Sequence, residues 1–179
     1  MPFERHIIMV SKTLQHIKQS REFDSPKQEL FLVMLRLVEN LSYDLEQSLK
    51  EKGLTQTQYN ALRILRGAGP NGLPSCEVGA RMVKRVPDVT RLLDRLEKQG
   101  WIERERLENN RRVVMSRITP KGLQILEDAQ PLIDSFHTNA FHQLTEAQAA
   151  EIIRLLDMVT TESPMPTCDE MQDSEEETN

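Results

Sequence analysis

Residues 86–117 constrain the fold more than any other stretch of this 179-residue chain. Val89, Leu92, Leu93 and Leu96 recur at i, i+3, i+4 and i+7, the apolar stripe of a short helix, and Gly100 follows its end. The opposite face holds Asp88, Thr90, Arg91, Asp94, Arg95 and Lys98. Trp101-Ile102 and Val113-Val114 begin or lie within two strands, and Asn109-Asn110 supplies turn residues that tolerate positive φ. Arg111 and Arg112 stand at the tip. A helix running directly into a basic β-hairpin is what one groove of DNA and its neighbour would accept.

The rest of the chain reads as helices. Apolar residues between 3 and 21 suggest a first helix, ended by Asp24-Ser25-Pro26. Asp24 or Ser25 then caps a long helix with Pro26 in its first turn. Its stripe is Leu30, Met34, Leu37, Leu41 and Leu45, widened by Val33 and Val38, and Gly53 closes it. Thr55-x-x-Gln58 is a capping box opening a helix with Tyr59, Leu62 and Leu65 inward. Pro74-Ser75 starts a short helix through Met82, with Val78 and Met82 toward the core. Thr119 caps a long helix after the hairpin, which Pro131 should kink or divide. Thr145-x-x-Gln148 opens the last helix, with Ile152, Leu155, Leu156 and Val159. The expected order is four helices, a hairpin and two helices, mainly α, with the helix at 3–21 as an extra one at the front. The flanking helices carry large apolar faces with no sheet to bury them, so they should pack on a second copy about a twofold axis.

Charge supports this reading through its distribution. The chain is acidic overall, at −5, but residues 163–179 hold six acids and no base. The remainder carries +1, and residues 81–117 carry +5 from eleven Lys or Arg against six Asp or Glu. A basic patch on the presumed reading head is the footprint of phosphate contact. No apolar run approaches the roughly 18 residues of a membrane span. The basic, interrupted N-terminus is not a signal peptide. Two distant cysteines, Cys76 and Cys168, point to a reduced cytoplasmic protein without structural disulfides. No Gly-rich phosphate loop, nucleophile motif or paired catalytic carboxylate stands out, so neither an enzyme nor a cofactor is expected. His6, His16, His137 and His142 lack metal-ligand spacing.

The run Leu62-Arg63-Ile64-Leu65, then Thr90-Arg91-Leu92-Leu93-Asp94-Arg95-Leu96-Glu97-x-x-Gly100, Glu103-Arg104, Arg111-Arg112-Val113-Val114 and Ile118-Thr119-x-x-Gly122 resembles the MarR family of winged-helix transcription regulators. The resemblance covers about residues 28–160 and is strongest from 86 to 122. It implies a winged helix-turn-helix at 54–119, with helices at 25–53 and 120–162 forming an intertwined dimerisation region. The N-terminal extension, 1–24, and the acidic tail, 163–179, lie outside that pattern, and the tail's composition reads as disordered. It also implies a homodimeric repressor on a palindromic double-stranded DNA site, released by a small organic effector, phenolic or anionic. The chain departs from the family at Asn110, where an aspartate usually orients a wing arginine, at Pro74, where a Ser or Thr cap is usual, and at Gly79, which replaces a common alanine.

Candidate DNA contacts follow. Thr90 and Arg91 sit in the first turn of the reading helix, off its apolar stripe, where arginine can pair with guanine. Asp88 is read as the helix cap and Arg95 as a brace to Asp94, Glu97 or a wing acid. Lys84 and Arg85 precede the helix and suit phosphate, and Arg111 and Arg112 form the wing tip. Arg104 and Arg106 share a strand face and either meet phosphate or pair across the hairpin. An effector site is expected where the first long helix, the Tyr59 helix and the penultimate helix meet, with Arg36, Tyr59 and Arg63 as its polar groups. The alternative for these three is core packing by Tyr59 and interface salt bridges by the arginines. Two other functions fit the same fold: a protein-interaction module in which the acidic tail docks a basic partner, and a thiol sensor through Cys76 near a helix N-terminus.

Overall fold

The computed structural model describes residues 23–107 and 113–159. Six helices and three short strands follow in the order α1 (Pro26–Lys50), α2 (Gln56–Ala68), β1 (Leu73–Pro74), α3 (Ser75–Ala80), α4 (Val89–Lys98), β2 (Ile102–Arg106), β3 (Val114–Ile118), α5 (Pro120–Phe141) and α6 (Glu146–Asp157). The expected helix between 3 and 21, the wing tip and the acidic tail lie outside the described residues.

Most helix starts are set by local hydrogen bonds that the sequence announces. Thr55 accepts from Gln58 N at 3.1 Å while Gln58 Oε1 accepts from Thr55 N at 2.9 Å, a complete capping box. Thr145 and Gln148 repeat it at α6. Thr119 accepts from Gly122 N at 3.1 Å and opens α5. α3 is the exception: Pro74 precedes it and has no side chain that can cap. Pro131 does not divide α5, which excludes one of the two expected effects. It sits on the exposed side, while Leu126, Ala129 and Ile133 continue the buried stripe past it. Packing of that stripe holds the helix together where proline removes one backbone bond.

The two-residue strand β1 was not expected. It pairs antiparallel with β3, Leu73 opposite Ser116, so the hairpin becomes a three-stranded sheet ordered β1-β3-β2. Gly72 permits this approach. Its φ is +67°, and a Cβ there would lie 2.3 Å from the Ser116 carbonyl oxygen. β2 and β3 pair in register from Ile102 opposite Ile118 to Arg106 opposite Val114.

The chain forms two compact units whose boundary falls inside α1, between Asp44 and Leu45. In the second, one core gathers Leu49 and Leu54 with Leu62 and Leu65 of α2, Val78 of α3, Leu93 and Leu96 of α4, Ile102 of β2, and Leu126 and Ile133 of α5. Each fully buried leucine contributes about 1.5–3 kcal/mol. The expected inward residues Tyr59, Val78, Met82, Leu92, Leu93 and Leu96 are all buried. In the first unit, the described part of α1 leaves Leu30, Phe31, Leu35, Leu37, Val38 and Tyr43 exposed.

Candidate nucleic-acid interface

α4 presents its polar face because its apolar face is fully used. Leu92, Leu93 and Leu96 are buried, which turns Arg91, Arg95 and Lys98 outward. Asp88 sets where the helix begins: its Oδ1 accepts from Arg91 N at 2.7 Å. The cap reading of Asp88 is therefore the one realised, with Thr90 and Arg91 exposed in the first turn. Replacing Asp88 with alanine should destabilise the fold by about 1 kcal/mol. Thermal melting checks this, and an unchanged Tm would deny the cap its role.

Arg91 and Arg95, one turn apart, share an open groove of about 500 Å³ with Lys84 and the first turn of α2. Among the described residues none of these three cations has an ion-pair partner. Glu46 lies along the same groove, and its carboxylate accepts from Gln56 N at 2.7 Å, at the N-terminus of α2. Arg85 is exposed on the turn ahead of α4.

The brace expected of Arg95 is made by Arg104 instead. Its guanidinium bonds to Asp94 Oδ1 and lies 3.8 Å from Glu97 Oε2, with the side chain only 17% exposed. β2 is thereby fastened to α4, and Arg95 is left open to solvent. Of the two arginines on that strand face, Arg104 is taken up within the protein and Arg106 is exposed. Arg117 pairs with Glu105 at 2.8 Å, a diagonal contact across the hairpin, since Glu105 stands opposite Met115. The other end of the hairpin is tied to α5. Thr119 Oγ1 donates to Gly100 O at 2.7 Å and Lys121 Nζ donates to Gln99 O at 2.8 Å. α4, the hairpin strands and α5 are thus joined by side-chain bonds. Arg111 and Arg112 lie outside the described residues.

Behind the groove is a smaller, mainly apolar cleft of about 160 Å³. Buried Tyr59 forms one wall, and the Arg63 guanidinium carbon lies 5.9 Å from its ring centroid, a cation–π distance. Tyr59 and Arg63 thus come together as expected, but their surroundings differ from expectation. The other walls are Leu45 of α1 and the Met82-Val83-Lys84 turn, and the penultimate helix contributes nothing. Arg36 belongs to the first unit and is exposed on α1.

Cys76, in the first turn of α3, is disulfide-bonded. This corrects the expectation of a reduced thiol. Among the described residues no helix is long and apolar enough to cross a membrane.

A helix-turn-helix followed by a β-hairpin, with a cationic face on the second helix, defines a winged-helix protein. Similar proteins narrow that class. The model of the MarR family matches residues 54–114. The transcriptional repressor MprA of Escherichia coli is 30% identical over 149 residues, covering 80% of each chain. The chain belongs to the MarR family and is a transcriptional regulator. Solved structures agree on the fold. A mutant MarR from E. coli complexed with operator DNA superposes with a TM-score of 0.67 at 24% identity, covering 84% of this chain and all of that one. Bordetella bronchiseptica BpsR, whose DNA binding is regulated by 6-hydroxynicotinic acid, superposes with a TM-score of 0.66 at 20% identity, covering 74% of this chain and 99% of that one.

Proposed function

We propose that this protein is a homodimeric, sequence-specific repressor that α4 seats in the major groove of a palindromic operator and that a small aromatic anion releases. The observation carrying the DNA reading is the row Lys84, Arg91 and Arg95 on one groove. Unpaired cations on a face cleared of apolar residues have phosphate and guanine as their natural partners. Thr90 and Arg91 are the base-reading pair, Lys84 and Arg85 the phosphate contacts, and Arg111 and Arg112 the wing contacts. Arg95 joins Arg91 because Arg104 has taken the brace.

The homodimer rests on apolar surface exposed among the described residues. Phe141, Leu144, Ile152, Leu155, Leu156 and Met158 are all exposed near the C-terminal end of the second unit. An apolar surface of this kind marks an interface. Twofold symmetry would present two copies of α4 to two half-sites one helical turn apart. MarR with operator DNA and the BpsR regulation by a hydroxylated pyridine carboxylate favour the same reading. In this reading Tyr59 and Arg63 receive the effector. Repression rather than activation is favoured because MprA is a transcriptional repressor.

The test combines light scattering with fluorescence anisotropy. The full chain should run at twice its 20.7 kDa. It should bind a duplex from its own upstream region more tightly than a scrambled one, with affinity falling steeply as salt rises. A monomer that binds neither duplex at low salt would refute the reading.

A further inference from the structure

The small cleft and the DNA-facing groove share a wall. Gln56, Thr57 and Lys84 line both. Of the cations involved, Arg63 lines only the cleft, and Arg91 and Arg95 line only the groove. Lys84 alone belongs to both sets, and it has no ion-pair partner among the described residues. The turn carrying it is held in place, because Val83 N donates to Asn60 Oδ1 of α2 at 2.9 Å. Its backbone is therefore anchored, while its four-carbon stem lets the ammonium serve either side.

We propose that Lys84 is a shared ligand residue, taken by phosphate when DNA is bound and by the anionic group of a small molecule when the cleft is filled. The proposal rests on the DNA-binding reading above and adds a route of release. One ammonium does not neutralise two anions at once, so occupying the cleft removes a phosphate contact directly. The cleft's size sets the occupant. About 160 Å³ is close to the roughly 150 Å³ that accommodates benzene in an engineered apolar cavity. One ring fits, against Tyr59, Met82 and Val83. The charge complement is one carboxylate, between Arg63 at one side and Lys84 at the other.

Benzoate is the probe. Anisotropy of the full chain on its upstream duplex is measured across a salt series, with and without saturating benzoate, for the wild type, Lys84→Gln and Lys84→Arg. Each phosphate contact contributes a slope of about 0.9 in log K against log salt. Benzoate should reduce the wild-type slope by about 1.8 for a dimer, and Lys84→Gln should reduce it by a similar amount without benzoate. In Lys84→Gln, benzoate should then change DNA affinity less than twofold, whereas Lys84→Arg should keep the wild-type response. Linkage requires the duplex to weaken benzoate binding by the factor by which benzoate weakens duplex binding, which calorimetry reads. The proposal is overturned if benzoate does not bind, if it releases DNA with the slope unchanged, or if Lys84→Gln still responds fully. In each of those cases salt-dependent binding by the wild type leaves the DNA-binding reading standing. A wild type that binds no duplex brings down both.

Discussion

Alanine in place of Arg91 is expected to abolish the preference for the operator over unrelated DNA while leaving the protein folded. The side chain is exposed and has no ion-pair partner in the described residues. What the residue gives the fold is its backbone N–H, donated to Asp88 at 2.7 Å, and alanine keeps that donor. Alanine is also the best helix former, so stability should move by less than about 0.5 kcal/mol. The recognition term is much larger. A bidentate arginine–guanine pair discriminates by about 1–3 kcal/mol. Two copies in a dimer lose roughly 2–6 kcal/mol between them, about 30-fold to more than 10⁴-fold in the specificity ratio. Phosphate binding through Lys84 and Arg85 persists, so the variant should still bind both duplexes at low salt, now almost equally. Anisotropy on cognate and scrambled duplexes reads the ratio directly. An undiminished ratio in a folded variant would mean that another residue reads the bases.

How far the sequence foretold this arrangement depended on the range of each interaction. Thr55, Asp88, Thr119 and Thr145 were all readable as caps, because a cap and its target lie within three residues. The buried face of α4 was readable for the same reason: Leu92, Leu93 and Leu96 are one stripe of one helix. The brace was misplaced. Within the helix, Arg95 is the arginine nearest Asp94, but the pairing is made by Arg104, ten residues on and brought back by the hairpin. Strand β1 is too short to show any period, and what places it is the missing side chain of Gly72 against Ser116. The cleft was half legible. Tyr59 and Arg63 lie on adjacent turns of α2, so their proximity follows from helical spacing. The Met82-Val83-Lys84 wall comes from a turn that reads in sequence only as a connector.

Gly122→Ala should be among the most damaging single-atom changes in the chain, although it adds a better helix former to a helix. In an exposed helix that exchange stabilises by up to about 1 kcal/mol. Here space decides the sign. A Cβ on Gly122 would lie 2.1 Å from the Trp101 carbonyl oxygen and 2.8 Å from Ile118 Cγ1. The first of these is a backbone atom that already accepts from Thr119 N at 3.0 Å, so it has no rotamer by which to withdraw. Relief requires α5 to move off the sheet, which strains the bond from Thr119 Oγ1 to Gly100 O and the one from Lys121 to Gln99 O. Overpacking typically costs about 1–3 kcal/mol, and a collision with backbone belongs at or above the upper end. A net loss of about 3 kcal/mol, on the order of 10 °C in Tm at matched protein concentration, is expected. The same movement shifts β2 relative to α4, so DNA affinity should fall even where the variant remains folded. Gly67→Ala is the control: nothing lies within 4 Å of its added Cβ, and its Tm should hold or rise. Equal melting temperatures for the two variants would show that α5 yields at Trp101 without strain, and the close approach would then have no part in fixing the wing.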